Sequence, residues 1–127
     1  MKPRKRTFGA FLRALRLQAG YGPRRFAAQA GFQPSNLSNI ERGKKPPPGD
    51  PERLEQIADA LGLAEDSQER RELYDLAAEA REEPLPADLE GYTRRSKAIP
   101  VLLRAAKGKG LTDEDFRELA EHIREHY

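Results

Sequence analysis

The chain has 127 residues, of which 37% are hydrophobic and 35% are charged. This is enough for one domain, or for one small domain with an appendage. It has no cysteine, so disulfide scaffolds, cysteine zinc sites and cysteine nucleophiles are excluded. No apolar run approaches the roughly 18 residues of a membrane span, and the basic start lacks the apolar stretch of a signal peptide. We therefore expect a cytoplasmic protein without membrane contact.

Helices are predicted along the whole chain, because apolar residues recur at intervals of three and four. In the first half they are expected at residues 8–19, 23–30, 34–42 and 51–61. Asp50 is a candidate N-cap for the fourth helix, with Pro51 at its first position. In the second half they are expected at residues 67–82, 100–107 and 113–125. Ser67 and Thr112 are candidate N-caps there, and the segment PLPADLEGY is predicted to be a break. The fold class is therefore all-α.

The net charge of +2 conceals an uneven distribution along the chain. Residues 1–50 hold 11 Lys and Arg against 2 acidic residues, whereas residues 51–127 hold 12 against 19. The halves thus carry +9 and −7. A basic half suits a surface that binds a polyanion, and the acidic half is expected to point away from phosphates. The alternative is that both halves are simply solvated.

The stretch PRRFAAQAGFQPSNLSNIERG at residues 23–43 is the most informative motif of the chain. It reads as two short helices joined by a glycine turn, the unit that places a helix in the DNA major groove. Gly31 falls where the chain must turn sharply, and a residue without a Cβ costs least there. A shared apolar seam is expected from Phe26, Ala27, Ala30, Phe32, Leu37 and Ile40. The polar residues that remain cluster on the second helix, which suits contact with base edges.

Four segments carry a resemblance to a known family: FLRALR (11–16), FAAQAG (26–31), LSNIERG (37–43) and LEQIADALGL (54–63). They resemble the Xre/Cro/lambda-repressor class of helix-turn-helix regulators. The resemblance implies a lambda-repressor-like bundle in which helix 34–42 is the recognition helix. We expect three regions: a basic arm at 1–7, the DNA-binding domain at 8–65, and a smaller helical C-terminal region at 66–127 that dimerises or binds a partner.

The same resemblance assigns residues to double-stranded DNA. The candidates for base contact are Gln33, Pro34, Ser35, Asn36 and Asn39. An asparagine at position 39 can make a paired contact to adenine; the alternative for each polar residue is a solvated or capping group. The candidates for phosphate contact are Arg24, Arg25, Ser38, Arg42, Lys44 and Lys45.

Three further features belong to the same comparison. Lys2, Arg4, Lys5 and Arg6 form an arm that either enters a minor groove or is disordered. Arg16 and Glu41 match positions that often form a structural ion pair, which holds the recognition helix at its angle. The chain also departs from the family pattern, because Pro23 lacks the backbone N–H that often meets a phosphate there.

The implied function is a sequence-specific transcriptional regulator, a repressor that binds a palindromic operator as a homodimer. Apolar stripes at 73–80 and 101–123 are candidates for dimerisation, and internal packing is their alternative. The second half also resembles the tail of short Xre-type regulators encoded beside ImmA/IrrE-type metallopeptidases. The alternative function is therefore an antitoxin, or a peptidase-controlled partner, whose C-terminal half binds another protein.

No enzyme, cofactor or metal site is expected. His122 and His126 stand four residues apart, but their sequence HIREH lacks the glutamate that zinc peptidases place directly after the first histidine. Solvated histidines at the end of a helix are the preferred interpretation.

Overall fold

The computed structural model describes residues 6–127, and this part of the chain contains eight α-helices and no strand. The helices are α1 (Phe8–Gln18), α2 (Pro23–Ala30), α3 (Pro34–Glu41), α4 (Pro51–Ala60), α5 (Gln68–Ala80), α6 (Ala87–Arg94), α7 (Ile99–Gly108) and α8 (Asp113–His126). The all-α prediction is confirmed. No helix among the described residues is long and apolar enough to cross a membrane.

Most helices begin and end within two residues of the predicted bounds, because local sequence signals fix their ends. The side chain of Asp50 accepts a hydrogen bond from the backbone N–H of Glu52, at 3.0 Å, and Ser67 and Thr112 cap α5 and α8. These three N-caps are confirmed. Each gives one of the unpaired N–H groups of a first helical turn a partner.

The prediction of a break through residue 92 was wrong, because α6 begins at Ala87. Pro84 and Pro86 both precede the first helical residue. There, a proline interrupts nothing, and its fixed φ is compatible with the start of a helix. The break is therefore shorter than predicted.

The chain divides into two compact units, of which the first ends at Gly91. Its core is formed by one face each of α1 to α5, and α5 contacts both α1 and α4. Leu73 and Ala77 of α5 are buried in this core. The sequence placed the start of the C-terminal region at residue 66, whereas the packing of α5 extends the first unit well beyond that point. Leu73 and Ala77 therefore pack inside the first unit, which was the alternative to dimerisation for this part of the stripe at 73–80.

Arg70 ties α5 to α4 inside this unit. It is 4% exposed, and its guanidinium donates to the Asp59 carboxylate at 2.9 Å, the Leu63 carbonyl at 3.0 Å and the Tyr74 hydroxyl at 3.2 Å. Burial disfavours its charge, but the interactions with Asp59 and Tyr74 outweigh that effect and raise the pKa of Arg70 above its ordinary value. The charge is thus kept and has an acidic partner, as a buried cation requires.

The second unit, Tyr92–Tyr127, contains α7 and α8. All of its residues are described, and Ala106 is the one that is buried. A capping box between Thr112 and Asp115 begins α8. The Thr112 backbone N–H and hydroxyl both donate to the Asp115 carboxylate and lower its pKa.

Candidate nucleic-acid interface

A glycine in the left-handed backbone conformation joins α2 to α3. Gly31 has φ of 78°, a conformation that side chains with a Cβ rarely adopt, so the predicted sharp turn is confirmed. The Phe32 N–H donates to the Ala27 carbonyl at 2.8 Å and ends α2. Phe26, Ala30 and Leu37 are fully buried between the two helices. The seam therefore leaves the opposite face of α3 directed away from the core.

Arg53 of α4 holds this turn from outside. Its guanidinium donates to the carbonyls of Ala30, at 2.8 Å, and Gly31, at 3.2 Å. It also lies over the Phe32 ring, 4.7 Å from the centroid. The last carbonyls of α2 thus gain a cationic partner, which the helix dipole favours. A Cβ at Gly31 would lie 2.7 Å from this guanidinium, the end of a side chain that can move aside, so the requirement for glycine comes from the left-handed φ.

The close approach of α1 to α3 sets the position of α3 from the other side. A Cβ on Gly9 would lie 2.3 Å from the Ile40 carbonyl oxygen and 2.6 Å from that of Glu41. Both atoms belong to the backbone, so no side-chain movement could relieve the overlap. Glycine at this position therefore determines how near the last turn of α3 can come to α1.

The structure brings Arg16 and Glu41 together in a bidentate ion pair. Arg16 Nε lies 2.7 Å from Glu41 Oε2 and Nη2 lies 3.0 Å from Oε1, and the side chains are 6% and 7% exposed. Arg16 Nη1 also donates to the Tyr21 carbonyl at 2.9 Å. The hydrogen bond to Glu41 raises the pKa of Arg16, although burial acts against it. One side chain thereby links α1, the loop before α2, and the end of α3.

The polar side of α3 is exposed at its first turn and half-buried further along the helix. Gln33, Pro34 and Ser35 are exposed, whereas Asn36 and Asn39 are half-buried, with Ser38 in the same half-buried state. The residues assigned to base contact therefore lie along one short helix and its N-cap. Because α3 begins at a proline, its first turn combines a preset φ with the positive end of the helix dipole.

Cationic residues flank this helix in the sequence, and their side chains are exposed in the structure. The exposed cations are Arg24, Arg25, Arg42, Lys44 and Lys45. Arg25 lies over the Tyr21 ring at 5.3 Å, and Lys45 Nζ donates to Asn36 Oδ1 at 2.7 Å. The backbone N–H groups of Lys44 and Lys45 both donate to the Asn39 carbonyl, at 2.8 and 3.2 Å. The backbone of both lysines is thus held near the C-terminal end of α3.

Of the four basic residues of the arm, the structure describes Arg6. Arg6 lies over the Phe11 ring, 4.6 Å from the centroid, and its guanidinium is 2.9 Å from the Glu72 carboxylate. Its charge is therefore engaged with α1 and α5. Lys2, Arg4 and Lys5 lie outside the described residues.

Sequence reasoning missed two residues that position the site. Gly9 had a signal, because glycine inside a helix is unfavourable by up to about 1 kcal/mol and calls for a packing reason. Arg53 had none, because nothing local distinguishes it from the other charged residues of α4.

The C-terminal histidines lie side by side. The ring centroids of His122 and His126 are 4.3 Å apart. Among residues 6–127, no group of three or more His, Cys, Asp or Glu side chains is arranged to hold a metal ion.

A family model described as a helix-turn-helix domain matches residues 7–73, just over half of the chain. No curated protein matches the chain, and no solved structure does.

Proposed function

The chain belongs to the helix-turn-helix domain family, and from this premise we propose that it is a sequence-specific DNA-binding transcriptional regulator that acts as a repressor in the cytoplasm. The observation that carries the proposal is the polar side of α3, which is exposed at its first turn and half-buried at Asn36 and Asn39, with the backbone of Lys44 and Lys45 held near its C-terminal end. A helix of this width fits the major groove, and its amides and hydroxyls match the donors and acceptors of base edges.

Base recognition is proposed for Gln33, Pro34, Ser35, Asn36 and Asn39. Asn39 supplies both a donor and an acceptor, the pair that adenine N7 and N6 require, and such a contact discriminates by about 1–3 kcal/mol. Asn36 already accepts a hydrogen bond from Lys45. A base that engages Asn36 would therefore meet a lysine as well, which favours an acceptor-rich edge such as that of guanine.

Phosphate contact is proposed for Arg24, Arg25, Ser38, Arg42, Lys44 and Lys45. Such contacts fix the protein on the duplex without reading its sequence. Because Pro23 has no N–H, anchoring at the start of α2 depends on the exposed side chains of Arg24 and Arg25. Lys2, Arg4, Lys5 and Arg6 are proposed to extend the contacts toward a neighbouring minor groove. In that case, Arg6 would have to leave Glu72.

Arg16 and Glu41 are proposed to have a structural role in this site. Their bidentate pair supports a fixed angle between α1 and α3, and neither side chain is exposed enough to read a base. A dimer is proposed because one α3 helix covers only a few base pairs, and two copies about 34 Å apart would read successive turns of a palindrome.

The test is a selection of bound sequences from random duplexes with the full chain. A specific regulator should bind the selected duplex at least about 10³-fold more tightly than a scrambled duplex at the same salt. A ratio near one would contradict sequence-specific recognition, even if the chain bound DNA strongly.

The role of Asn39 has a matched control on α2. Asn39→Ala is expected to relax base preference at one position of the selected site, with the far-ultraviolet circular dichroism unchanged. Gln29→Ala removes an exposed amide that borders a groove with Glu52 and Asp59, and it should change neither affinity nor preference. Equal loss of affinity for all sequences in Asn39→Ala would contradict base reading.

A second candidate function is favoured by the second unit, where large apolar side chains such as Leu102 and Ile123 are more than half exposed. We propose it as an antitoxin-type or peptidase-controlled role, in which this unit binds a toxin or a metallopeptidase of the ImmA/IrrE type. A partner should copurify with the full chain and be lost when the chain ends at Gly91. Copurification that survives this truncation would contradict the assignment to the second unit.

A further inference from the structure

The connector between α3 and α4 is stiff in its middle and free to turn on either side. Pro46, Pro47 and Pro48 follow one another there, and consecutive prolines hold the backbone extended. Gly43, with φ of 77°, precedes them and Gly49 follows, and glycine restricts the backbone least. The three prolines therefore move as one piece, so a single contact in their middle can fix the direction of the connector.

Arg81, at the C-terminal end of α5, makes such a contact. Its Nη1 donates to the Pro47 carbonyl at 3.1 Å, and Pro47 is buried. Because proline has no backbone N–H, the carbonyl is the backbone group through which Pro47 can be held. A Cβ on Gly49 would lie 2.5 Å from Arg81 Nε and 2.6 Å from Cζ. The guanidinium thus lies against the connector at two neighbouring residues.

The end of α5 turns so that Arg81 is oriented from its own side as well. Glu82 has φ of 55° and is the one described residue with a Cβ in the left-handed region. The Glu83 N–H donates to the Ala78 carbonyl at 2.8 Å and closes the turn. This brings the Glu83 carboxylate to 2.9 Å from Arg81 Nε, with side chains 35% and 36% exposed. So exposed a pair adds little stability, and its consequence is the orientation of the guanidinium.

Lys44 and Lys45 lie between two points at which the backbone is held. On one side their own N–H groups donate to the Asn39 carbonyl, and on the other side Pro47 accepts from Arg81. Both lysines are phosphate contacts of the proposed function. A segment that is already ordered in the free protein loses less conformational freedom on binding, and this raises affinity without adding a contact.

We propose that Arg81 is a positioning residue of the DNA interface, which holds the connector so that Lys44 and Lys45 are presented to the phosphates. The proposal rests on the proposed function and extends the interface to α5, a helix outside the two-helix motif. Two of the three guanidinium nitrogens of Arg81 are engaged within the protein, with Glu83 and Pro47. This favours a role in holding the connector over a phosphate contact of its own.

The first test measures affinity for a duplex at several salt concentrations. Arg81→Ala should bind every duplex about tenfold more weakly than the wild type. The slope of log affinity against log salt should not change, since the same phosphates are neutralised. Arg71→Ala is the matched control, because it removes the same charge from an exposed position on the same helix, and it should leave affinity and slope unchanged.

Three outcomes of this measurement would overturn the proposal. A slope reduced by about 0.9 in Arg81→Ala would show a direct phosphate contact. Wild-type affinity in Arg81→Ala would show that the contact with the connector does not matter for binding. An equal loss in Arg71→Ala would show an effect of charge alone.

The second test determines whether Arg81 acts through the two lysines. The double variant Lys44→Ala, Lys45→Ala has no lysine left for the connector to present, so the addition of Arg81→Ala should cause no further loss of affinity. Such non-additivity is expected of residues that act through one another. A further tenfold loss in this background would contradict the positioning role.

Gly49→Ala tests the same contact with every charge kept. The new Cβ would meet the guanidinium, which is the end of a side chain that can move aside. The variant should therefore displace Arg81 from the connector and reproduce the loss of affinity of Arg81→Ala. Gly108→Ala, whose Cβ meets nothing within 4 Å, is the control and should bind as the wild type does. Wild-type affinity in Gly49→Ala would count against the proposal.

Hydrogen exchange in the free protein separates this proposal from the proposed function. In Arg81→Ala, the amides of Lys44 and Lys45 should exchange several-fold faster by NMR, because their hydrogen bonds open more often, while the amides of α1 should not. Unchanged exchange at the lysines, or equal acceleration in α1, would overturn the role of Arg81 and leave DNA binding untouched. Faster exchange at the lysines in a protein that binds no duplex would instead contradict the proposed function.

Discussion

Removal of Glu41 is expected to be among the most damaging single changes outside the apolar core. Glu41→Ala deletes two charge-assisted hydrogen bonds of 2.7 and 3.0 Å and leaves the guanidinium of Arg16, in a side chain that is 6% exposed, with the Tyr21 carbonyl alone. Breaking a buried pair from one side costs about 3–5 kcal/mol, because the remaining charge is left uncompensated. This is a large share of the 5–15 kcal/mol that typically stabilises a domain.

The assay is urea denaturation followed by circular dichroism, with the midpoint compared at constant m-value. Glu72→Ala is the matched control, because its pair with Arg6 has side chains 33% and 57% exposed and should cost less than about 1 kcal/mol. The double variant Arg16→Met, Glu41→Leu removes both charges and should recover much of the lost stability. Equal costs for Glu41→Ala and Glu72→Ala would refute the reasoning.

Three further predictions address the packing of α3, the phosphate contacts and the start of α8. Gly9→Ala should destabilise the first unit by about 1–3 kcal/mol in the same assay, because its Cβ overlaps the α3 backbone; Gly91→Ala, which meets nothing within 4 Å, should not. The double variant Lys44→Ala, Lys45→Ala should weaken binding to every duplex and reduce the slope of log affinity against log salt by about 2. The control double variant Lys107→Ala, Lys109→Ala should leave this slope unchanged. The reverse pattern would remove Lys44 and Lys45 from the interface. The lowered pKa of Asp115 means that its charge stabilises α8 above the unfolded value of about 4, and that this contribution disappears as the pH falls through the folded pKa. Thr112→Ala should raise the Asp115 pKa toward that value in a carboxyl NMR titration, and an unchanged titration would show that the hydroxyl contributes nothing.

Local chemistry explains which parts of the fold could be predicted from the sequence. Asp50 and Gly31 act within their own turn, so their roles follow from neighbouring residues. Leu54, Ile57 and Ala58 repeat at helical spacing and are buried, as that spacing predicts. These features need no knowledge of what lies across the core.

The features that sequence reasoning missed depend on residues distant in the chain. Gly9 matters because Ile40 approaches it, and Arg53 matters because its hydrogen-bond partner Gly31 lies 22 residues earlier. The assignment of α5 to the C-terminal region had the same cause. Its stripe is equally compatible with a second copy and with α1, and only the packed structure distinguishes them. For the base-contacting residues, the sequence predicts a face, and a bound duplex is needed to assign each residue its base.

Because Arg53 lies on α4, the turn after α2 is stabilised by a helix outside the two-helix motif. A synthetic peptide that contains α2 and α3 would carry every residue of the motif and still lack the group that caps it. Transplanting residues 23–43 into a foreign scaffold would therefore require an arginine on a neighbouring helix, aimed at the Ala30 and Gly31 carbonyls.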